Sequence, residues 1–240
     1  MENKITGRIH SFQSMGAVDG PGLRCVVFMQ GCPLRCIYCH NPDTWDFRGG
    51  IEITPNELLE KILRYKSFIK NGGVTVTGGE PLMQSEFVAE LFRLLHENGI
   101  HTALDTSCIG SLKTAKKVLL HTNLVLADVK FQNDSDYEKN CGGKFSEVVK
   151  FLDLTDEMGI PLWIRRVVVP GMNDTESDIT ALSEFLEKYK TVEKVELLPF
   201  RKLCLEKYEA MGIDFPLFDT PEASKEKIAE LYGYLPQKWQ

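Results

Sequence analysis

Short apolar runs alternate with amphipathic stretches along most of the chain. The apolar runs are rich in β-branched residues, as strands buried in a parallel sheet are. They cover residues 23–28, 74–77, 102–105, 124–128, 162–169 and 192–198. The stretches between them predict helices. The first of these helices should follow an N-cap at Thr54, with Pro55 at its first position and Glu57 closing a capping box.

Further helices are predicted near residues 84–98, 112–120, 145–158, 175–189 and 221–235. Six strand–helix units in succession imply an α/β fold with a parallel sheet and right-handed crossovers. Six units are too few for a closed eight-unit barrel, which leaves an open partial barrel or a doubly wound sheet. Because no linker-like composition interrupts the chain, we predict a single domain over residues 1–240.

Polar residues follow most of the predicted strands. They are Gly78-Gly79-Glu80, Asp105, Asp128-Val129-Lys130, Arg165-Arg166 and Arg201. In parallel α/β folds the carboxyl ends of the strands share one edge, and binding sites are built there. We therefore expect these residues to contribute to one shared site.

Charge and composition narrow the possible classes of partner. The chain has 28 Lys and Arg against 34 Asp and Glu, a net charge of −6, which disfavours a nucleic-acid backbone as its main partner. No apolar run approaches the roughly 20 residues that cross a bilayer, and the first residues lack a signal-peptide layout. We predict a cytoplasmic protein with no membrane partner. In that compartment seven cysteines, an odd number, argue against a disulfide framework.

Three of the seven cysteines lie within eight residues. Cys32, Cys36 and Cys39 have the spacing C-x3-C-x2-C on a loop that follows a predicted strand. Thiolates are soft ligands that suit zinc or iron–sulfur clusters. A four-iron cluster normally has four cysteine ligands, so three would leave one iron with an open position.

The spacing alone leaves other interpretations open. Zinc could be held by the three cysteines together with His40. The segment 36–40 also matches C-x-x-C-H, the attachment pattern of c-type haem, although Cys32 would then have no role. Ordinary buried cysteines are a third interpretation, since a thiol also behaves as a small apolar group.

On these residues the sequence resembles the radical S-adenosylmethionine (SAM) enzymes, whose hallmark is Gly-Cys-x3-Cys-x2-Cys followed by His-Asn, here residues 31–41. The blocks 7–12, 19–24, 28–32 and 38–45 resemble the pyruvate formate-lyase activating enzyme family, and the likeness extends to about Met211. The resemblance implies a partial (β/α)6 barrel of the radical SAM type.

The resemblance also implies an activity. A [4Fe–4S] cluster on the three cysteines would reductively cleave SAM, and the 5′-deoxyadenosyl radical so formed would take a hydrogen atom from a glycine of a partner. That partner would be a glycyl-radical enzyme, pyruvate formate-lyase first of all, and a donor such as flavodoxin would supply the electron. A radical SAM enzyme acting on a small molecule is the alternative.

Site residues follow from the same resemblance. Gly78 and Gly79 would let backbone approach the methionine part of SAM, and Glu80 would take its ammonium group. Tyr38 and His40 would lie around adenine.

Other positions around SAM are implied in the same way, namely Asp105, Asp128, Val129 and Lys130. Arg165 or Arg166 would balance the SAM carboxylate. Asp19 and Gly20 would form a rim element near the partner's glycine loop.

The sequence departs from the family at Arg201, where the activating enzymes commonly have a histidine near a monovalent cation. We hypothesise that the Arg201 guanidinium replaces the cation and pairs with Asp105 and Asp128. No cysteine lies between Cys39 and Gly78, which favours an activase with one cluster over those with a ferredoxin-like insert.

Overall fold

The computed structural model describes residues 5–240. Its eight strands are β1 (Gly7–Gly16), β2 (Arg24–Met29), β3 (Ile51–Ile53), β4 (Gly73–Gly78), β5 (Thr102–Thr106), β6 (Leu124–Asp128), β7 (Leu162–Val168) and β8 (Val192–Pro199). Its α-helices are α1 (Pro55–Leu63), α2 (Ser85–Glu97), α3 (Leu112–Leu119), α4 (Asp134–Cys141), α5 (Phe145–Glu157), α6 (Glu176–Leu186), α7 (Leu205–Met211) and α8 (Lys225–Tyr232).

The strands form one open sheet in the order β3-β1-β2-β4-β5-β6-β7-β8. Pairing is parallel from β2 through β4 to β5 and again between β7 and β8, so the predicted α/β fold with a mostly parallel sheet is confirmed. The six predicted strands are found with ends shifted by at most about two residues.

Two strands and two helices were not predicted. β1 pairs antiparallel with both β2 and β3, at the edge of the sheet. No residue of β1 from His10 to Met15 is buried, and β3 is only three residues long. Neither contains the continuous apolar run that predicts the other six strands. The short helix α4 was missed because its sequence is strongly polar, and α7 was missed because it is only seven residues long.

The predicted start of α1 is confirmed in detail. The Thr54 hydroxyl accepts a hydrogen bond from Glu57 N, and the Glu57 carboxylate accepts one from Thr54 N. These two bonds satisfy donors that a helix start otherwise leaves without partners.

The chain divides into two compact units. Among the described residues, the first contains 5–33 and 44–126, and the second contains 34–43 and 127–240. In the first unit the core is formed by the β-branched residues of β2 and β4 with the apolar face of α2. In the second unit the apolar faces of α5 and α6 and the strands β7 and β8 supply the buried residues. Within residues 5–240, no helix has the length and apolar character needed to cross a membrane.

Candidate functional site

The cysteine loop begins directly after the carboxyl end of β2. Cys32 belongs to the first unit, whereas Cys36 and Cys39 belong to the second. All seven cysteines of the chain are present as thiols, and these three are partly exposed. In the first unit, Cys32 N donates to Trp45 O over 3.5 Å, which fixes the start of the loop.

In the second unit, the cysteine loop is held along the end of α4. Arg35 N donates to Cys141 O over 2.8 Å, and Ile37 N donates to Asn140 O over 2.9 Å. The helix ends at Gly142, whose left-handed backbone (φ 77°) turns the chain away. These two hydrogen bonds lie on either side of Cys36 and fix its backbone.

The same contact places a second thiol beside Cys36. The side chains of Cys36 and Cys141 are hydrogen-bonded, which raises the pKa of Cys36, and burial adds to that effect. The contact lowers the pKa of Cys141, which is fully buried. Lys130 acts in the opposite sense on Cys36, because its positive charge favours the thiolate.

The segment that follows Cys39 is held by α7 and by the loop after β8. Lys207 Nζ donates to Asn41 Oδ1 over 2.9 Å and lies 3.0 Å from Asp43 Oδ2. The His40 ring nitrogen Nε2 is 2.8 Å from the backbone oxygen of Arg201. The Tyr38 ring is buried and lies beside Phe131, with ring centroids 6.5 Å apart.

In the first unit, Gly78 and Gly79 turn the chain tightly after β4. A Cβ at Gly79 would lie 2.3 Å from Gly31 O, and Gly78 has φ 106°. Glu80 N donates to the same oxygen of Gly31 over 2.8 Å. The turn is therefore bound to the residue that precedes Cys32, and only glycine fits its closest approach.

The Glu80 carboxylate is fully buried and accepts four hydrogen bonds. Oε1 accepts from Leu82 N and Thr106 Oγ1, and Oε2 accepts from Ser107 N and Ser107 Oγ, all within 3.0 Å. Burial raises its pKa, and these bonds act against that rise. Because four bonds fill the acceptor sites of a carboxylate, the expected contact with an ammonium group is corrected to a structural role.

The predicted strand-end acids have partners within their own units. Asp105 Oδ2 accepts from Thr77 Oγ1 over 2.8 Å in the first unit. In the second unit Lys130 Nζ donates to Asp128 Oδ2 over 2.5 Å, and Val129 N donates to Arg165 O over 2.9 Å.

The three arginines that the sequence placed near the site each have a polar partner within the second unit. Arg165 Nε donates to Glu196 over 2.9 Å, and Arg166 donates to Gln132 over 2.7 Å. Arg201 Nη1 donates to Ala223 O over 2.6 Å and lies 3.4 Å from Glu222. The hypothesis that Arg201 pairs with Asp128 is therefore wrong: the C-terminal segment takes its guanidinium, while Lys130 is the cation at Asp128.

The Asp19–Gly20 turn lies at the opposite end of β2 from the cysteine loop. It precedes Arg24, which is paired with Gly73 at the amino end of β4. The turn is therefore not on the edge formed by the strands' carboxyl ends, contrary to the expected rim position. Thr75 Oγ1 donates to Asp19 O over 2.6 Å and accepts from Arg24 Nε over 2.6 Å.

Three important residues were not identified from the sequence. Arg24 lies within one of the blocks that carry the family resemblance, Cys141 is one of four cysteines scattered outside the motif, and the sequence predicts no role for either of them or for Lys207. Cys141 lies more than 100 positions after the cysteine motif, and Lys207 is an ordinary helix lysine by composition. A scan for cysteines at the end of a short polar helix could have suggested Cys141.

The donor set of the loop fits an iron–sulfur cluster. Three thiols on one short loop are soft ligands of the kind that iron–sulfur clusters take. Within residues 5–240, no three His, Cys, Asp or Glu side chains are arranged around a point where one metal ion would bind. A cluster has a different requirement, since each cysteine binds a separate iron.

Comparison with known proteins gives consistent results. A family model described as the Radical SAM superfamily matches residues 26–183, well over half of the chain. A pyruvate formate-lyase-activating enzyme from Clostridium pasteurianum is 46% identical over 235 residues, covering 97% of this chain and 98% of the relative. One from Staphylococcus epidermidis is 40% identical over 240 residues, covering 96% of each chain.

Solved structures show the same similarity. A domain of a pyruvate-formate lyase-activating enzyme from Bacteroides vulgatus is 26% identical, with a TM-score of 0.58 over 70% of this chain and 94% of that chain. A radical SAM methyltransferase from Sphaerobacter thermophilus, 16% identical, superimposes with a TM-score of 0.66 over 90% of this chain and 64% of that one. At that identity the second match concerns the fold alone.

Proposed function

Because this chain belongs to the pyruvate formate-lyase-activating enzyme family of the radical SAM superfamily, we propose that it activates pyruvate formate-lyase, a glycyl-radical enzyme. The family is one of enzymes that use a [4Fe–4S] cluster and SAM. When bound, the cluster supplies the electron that cleaves SAM, and the resulting 5′-deoxyadenosyl radical takes a hydrogen atom from a glycine of the partner. The loop of three thiols held along α4 is the observation that carries this proposal.

Cys32, Cys36 and Cys39 are the proposed cluster ligands. Helix α4 fixes the backbone on both sides of Cys36, and Lys207 fixes the segment after Cys39. A ligand loop held in this way loses little conformational freedom when the cluster binds. The Lys130 ammonium near Cys36 adds a compensating charge to the thiolates.

The SAM contacts are divided between backbone and charged side chains. Gly78 and Gly79 offer backbone to the methionine part, and Glu80 holds their turn through its four bonds. His40, held at Arg201 O, and the backbone of Tyr38 are proposed to lie near adenine.

Further proposed contacts with SAM are Asp105, Asp128, Val129, Lys130 and Arg165. Glu196 orients the Arg165 guanidinium, which is proposed to balance the charge of the SAM carboxylate. We treat residues 1–240 as one catalytic domain.

Two further elements of the proposal rest on family resemblance. A one-electron donor such as flavodoxin is proposed to reduce the cluster, and a monovalent cation is proposed near SAM. Since Arg201 is bonded to Glu222 and Ala223 O, it does not replace a cation at Asp128. Added potassium should therefore increase 5′-deoxyadenosine formation in the wild type, and absence of a response would remove the cation from the proposal.

Anaerobic incubation with SAM and a strong reductant tests the activity. The wild type and Cys25→Ala, which lacks a buried thiol outside the loop, should form 5′-deoxyadenosine, and Cys36→Ala should not. Equal product from Cys36→Ala would refute the ligand assignment. With pyruvate formate-lyase present, an electron paramagnetic resonance signal of a glycyl radical should appear in the partner. Product without that signal would favour a small-molecule substrate.

A further inference from the structure

We propose that Cys141 is a resolving thiol for Cys36, so that oxidation by a peroxide joins the two cysteines in a reversible disulfide. The disulfide withholds Cys36 from the cluster and preserves it for later reassembly. This inference rests on the proposed function in one respect, that Cys36 is a cluster ligand. Formation of the disulfide itself can be measured without any radical chemistry.

The backbone geometry around the two cysteines suits a disulfide. The hydrogen bonds Arg35 N to Cys141 O and Ile37 N to Asn140 O run the two segments side by side. Cys36 lies between the two donating residues of its segment, and Cys141 lies in the segment that accepts both bonds. The two thiols also interact with each other, and each changes the pKa of the other, so the two sulfur atoms are neighbours in the folded chain.

The two thiols differ in their access to solvent. Cys36 is partly exposed, whereas Cys141 is fully buried under the cysteine loop. A small oxidant therefore meets Cys36 first, and Cys141 is within reach of the product. This arrangement of an accessible cysteine beside a protected partner is typical of reversible thiol oxidation.

The chemistry balances with hydrogen peroxide as the oxidant. Cys36 attacks one peroxide oxygen, the O–O bond breaks, and one water leaves as Cys36 becomes a sulfenic acid. Cys141 then attacks the Cys36 sulfur, an S–S bond forms, and a second water leaves. The two thiols lose two hydrogens in all and peroxide is reduced to two waters. Without Cys141 the sulfenic acid would persist and oxidise further to the irreversible sulfinic acid.

Peptide mapping tests the disulfide directly. The full-length chain, loaded with iron and sulfide, is treated with hydrogen peroxide, alkylated and digested with trypsin without reduction. Cleavage after Arg35 and Lys139 releases residues 36–48 and 140–144, which should be found joined. Because Cys39 shares the first peptide, the Cys39→Ala chain is mapped in parallel and should give the same pair. A link that requires Cys39, or absence of the joined pair, overturns the inference.

Recovery of the cluster after oxidation tests whether the disulfide protects Cys36. After dithiothreitol, iron and sulfide are added, the oxidised wild type and Cys25→Ala should regain their iron content. Cys141→Ala and Cys141→Ser should regain at most about half as much iron as the wild type, and sulfinic acid should be found at Cys36. Circular dichroism before treatment verifies that these variants are folded. Equal recovery of iron in all chains overturns the inference. If the wild type forms the disulfide but makes no 5′-deoxyadenosine, only the proposed function is overturned.

Discussion

Lys130 Nζ lies 2.5 Å from Asp128 Oδ2 just after β6, and the two side chains keep only 10% and 26% of their exposure. Burial alone would lower the pKa of Lys130, but the charges of Asp128 and Cys36 more than offset it and raise that pKa. Lys130 therefore stays charged in the folded chain. Its positive charge balances the negative charge of the Asp128 carboxylate, and it would also balance that of a Cys36 thiolate bound to a cluster.

Removal of this cation should destabilise the cluster-free chain. Lys130→Met leaves the Asp128 carboxylate uncompensated, and we expect a loss on the order of 2–3 kcal/mol, below that of a fully buried pair because Asp128 keeps some exposure. The double variant Asp128→Asn/Lys130→Met should recover most of the loss. Urea unfolding at neutral pH measures both. Lys227→Met, which breaks a surface pair with Glu230, is the control and should cost less than about 1 kcal/mol.

A Lys130→Met chain as stable as the wild type would contradict this account. The double variant can also be assayed for 5′-deoxyadenosine. If it is as stable as the wild type but forms less 5′-deoxyadenosine, the pair has a role in SAM binding beyond its role in stability.

Glu80→Gln should destabilise the first unit. A glutamine keeps one acceptor oxygen and places an NH2 group against donors that Glu80 now satisfies, among them Ser107 N and Ser107 Oγ. Leaving such buried donors without acceptors costs about 1–3 kcal/mol. Urea unfolding should show this loss, and Glu86→Gln, on an exposed part of α2, should show none. Equal stability of the two variants would return Glu80 to the list of candidate ligand contacts.

Local patterns were sufficient to predict most of this fold. β6 was predicted with its observed ends and the Thr54 cap with its observed bonds, because both depend on neighbouring residues in the sequence. β1 was missed because most of its residues are partly exposed, so it lacks a continuous apolar run. The strand ends were found, and with them Asp105 and Asp128.

The partners of the site residues could not be predicted in the same way. The Arg201 guanidinium is held by Glu222 and Ala223 O, a contact set by the path of the C-terminal segment. Cys36 and Cys141 meet because α4 ends beside the cysteine loop, and α4 itself was not predicted. Such pairings depend on tertiary packing, which spacing along one sequence does not encode.

The stability of the first unit should depend on pH through His101. Arg24 is fully buried, and its Nη2 donates to His101 Nδ1 over 3.2 Å, so the ring must be neutral on that nitrogen. Burial and the nearby Arg24 charge lower the His101 pKa from its usual 6.5 to about 4. The contribution of neutral His101 to the free energy of unfolding is therefore complete above about pH 6.5 and is lost as the pH falls toward 4.

His101→Gln retains an acceptor for Arg24 but does not titrate. Urea unfolding at pH 7.5 and pH 5 should show a smaller loss of stability in this variant than in the wild type. An equal loss in both chains would assign the acid sensitivity to other groups.

Lys207 connects α7 to the segment after the third cysteine, and its loss should affect the cluster more than the fold. Lys207→Met removes the bonds to Asn41 and Asp43. Because the ion pair is partly exposed, the cost to stability should be no more than about 1 kcal/mol. The freed segment would move more, so Cys39 would be held less firmly. Iron loss to a chelator under anaerobic conditions should therefore be several times faster than in the wild type.

Lys227→Met is a matched control for this measurement, because it also removes a lysine ion pair from the second unit without touching the cysteine loop. Its rate of iron loss should equal that of the wild type. Should both variants release iron equally fast, the effect would come from general loss of charge. Should Lys207→Met release iron no faster than the wild type, the bonds of Lys207 to Asn41 and Asp43 would not be needed to hold Cys39.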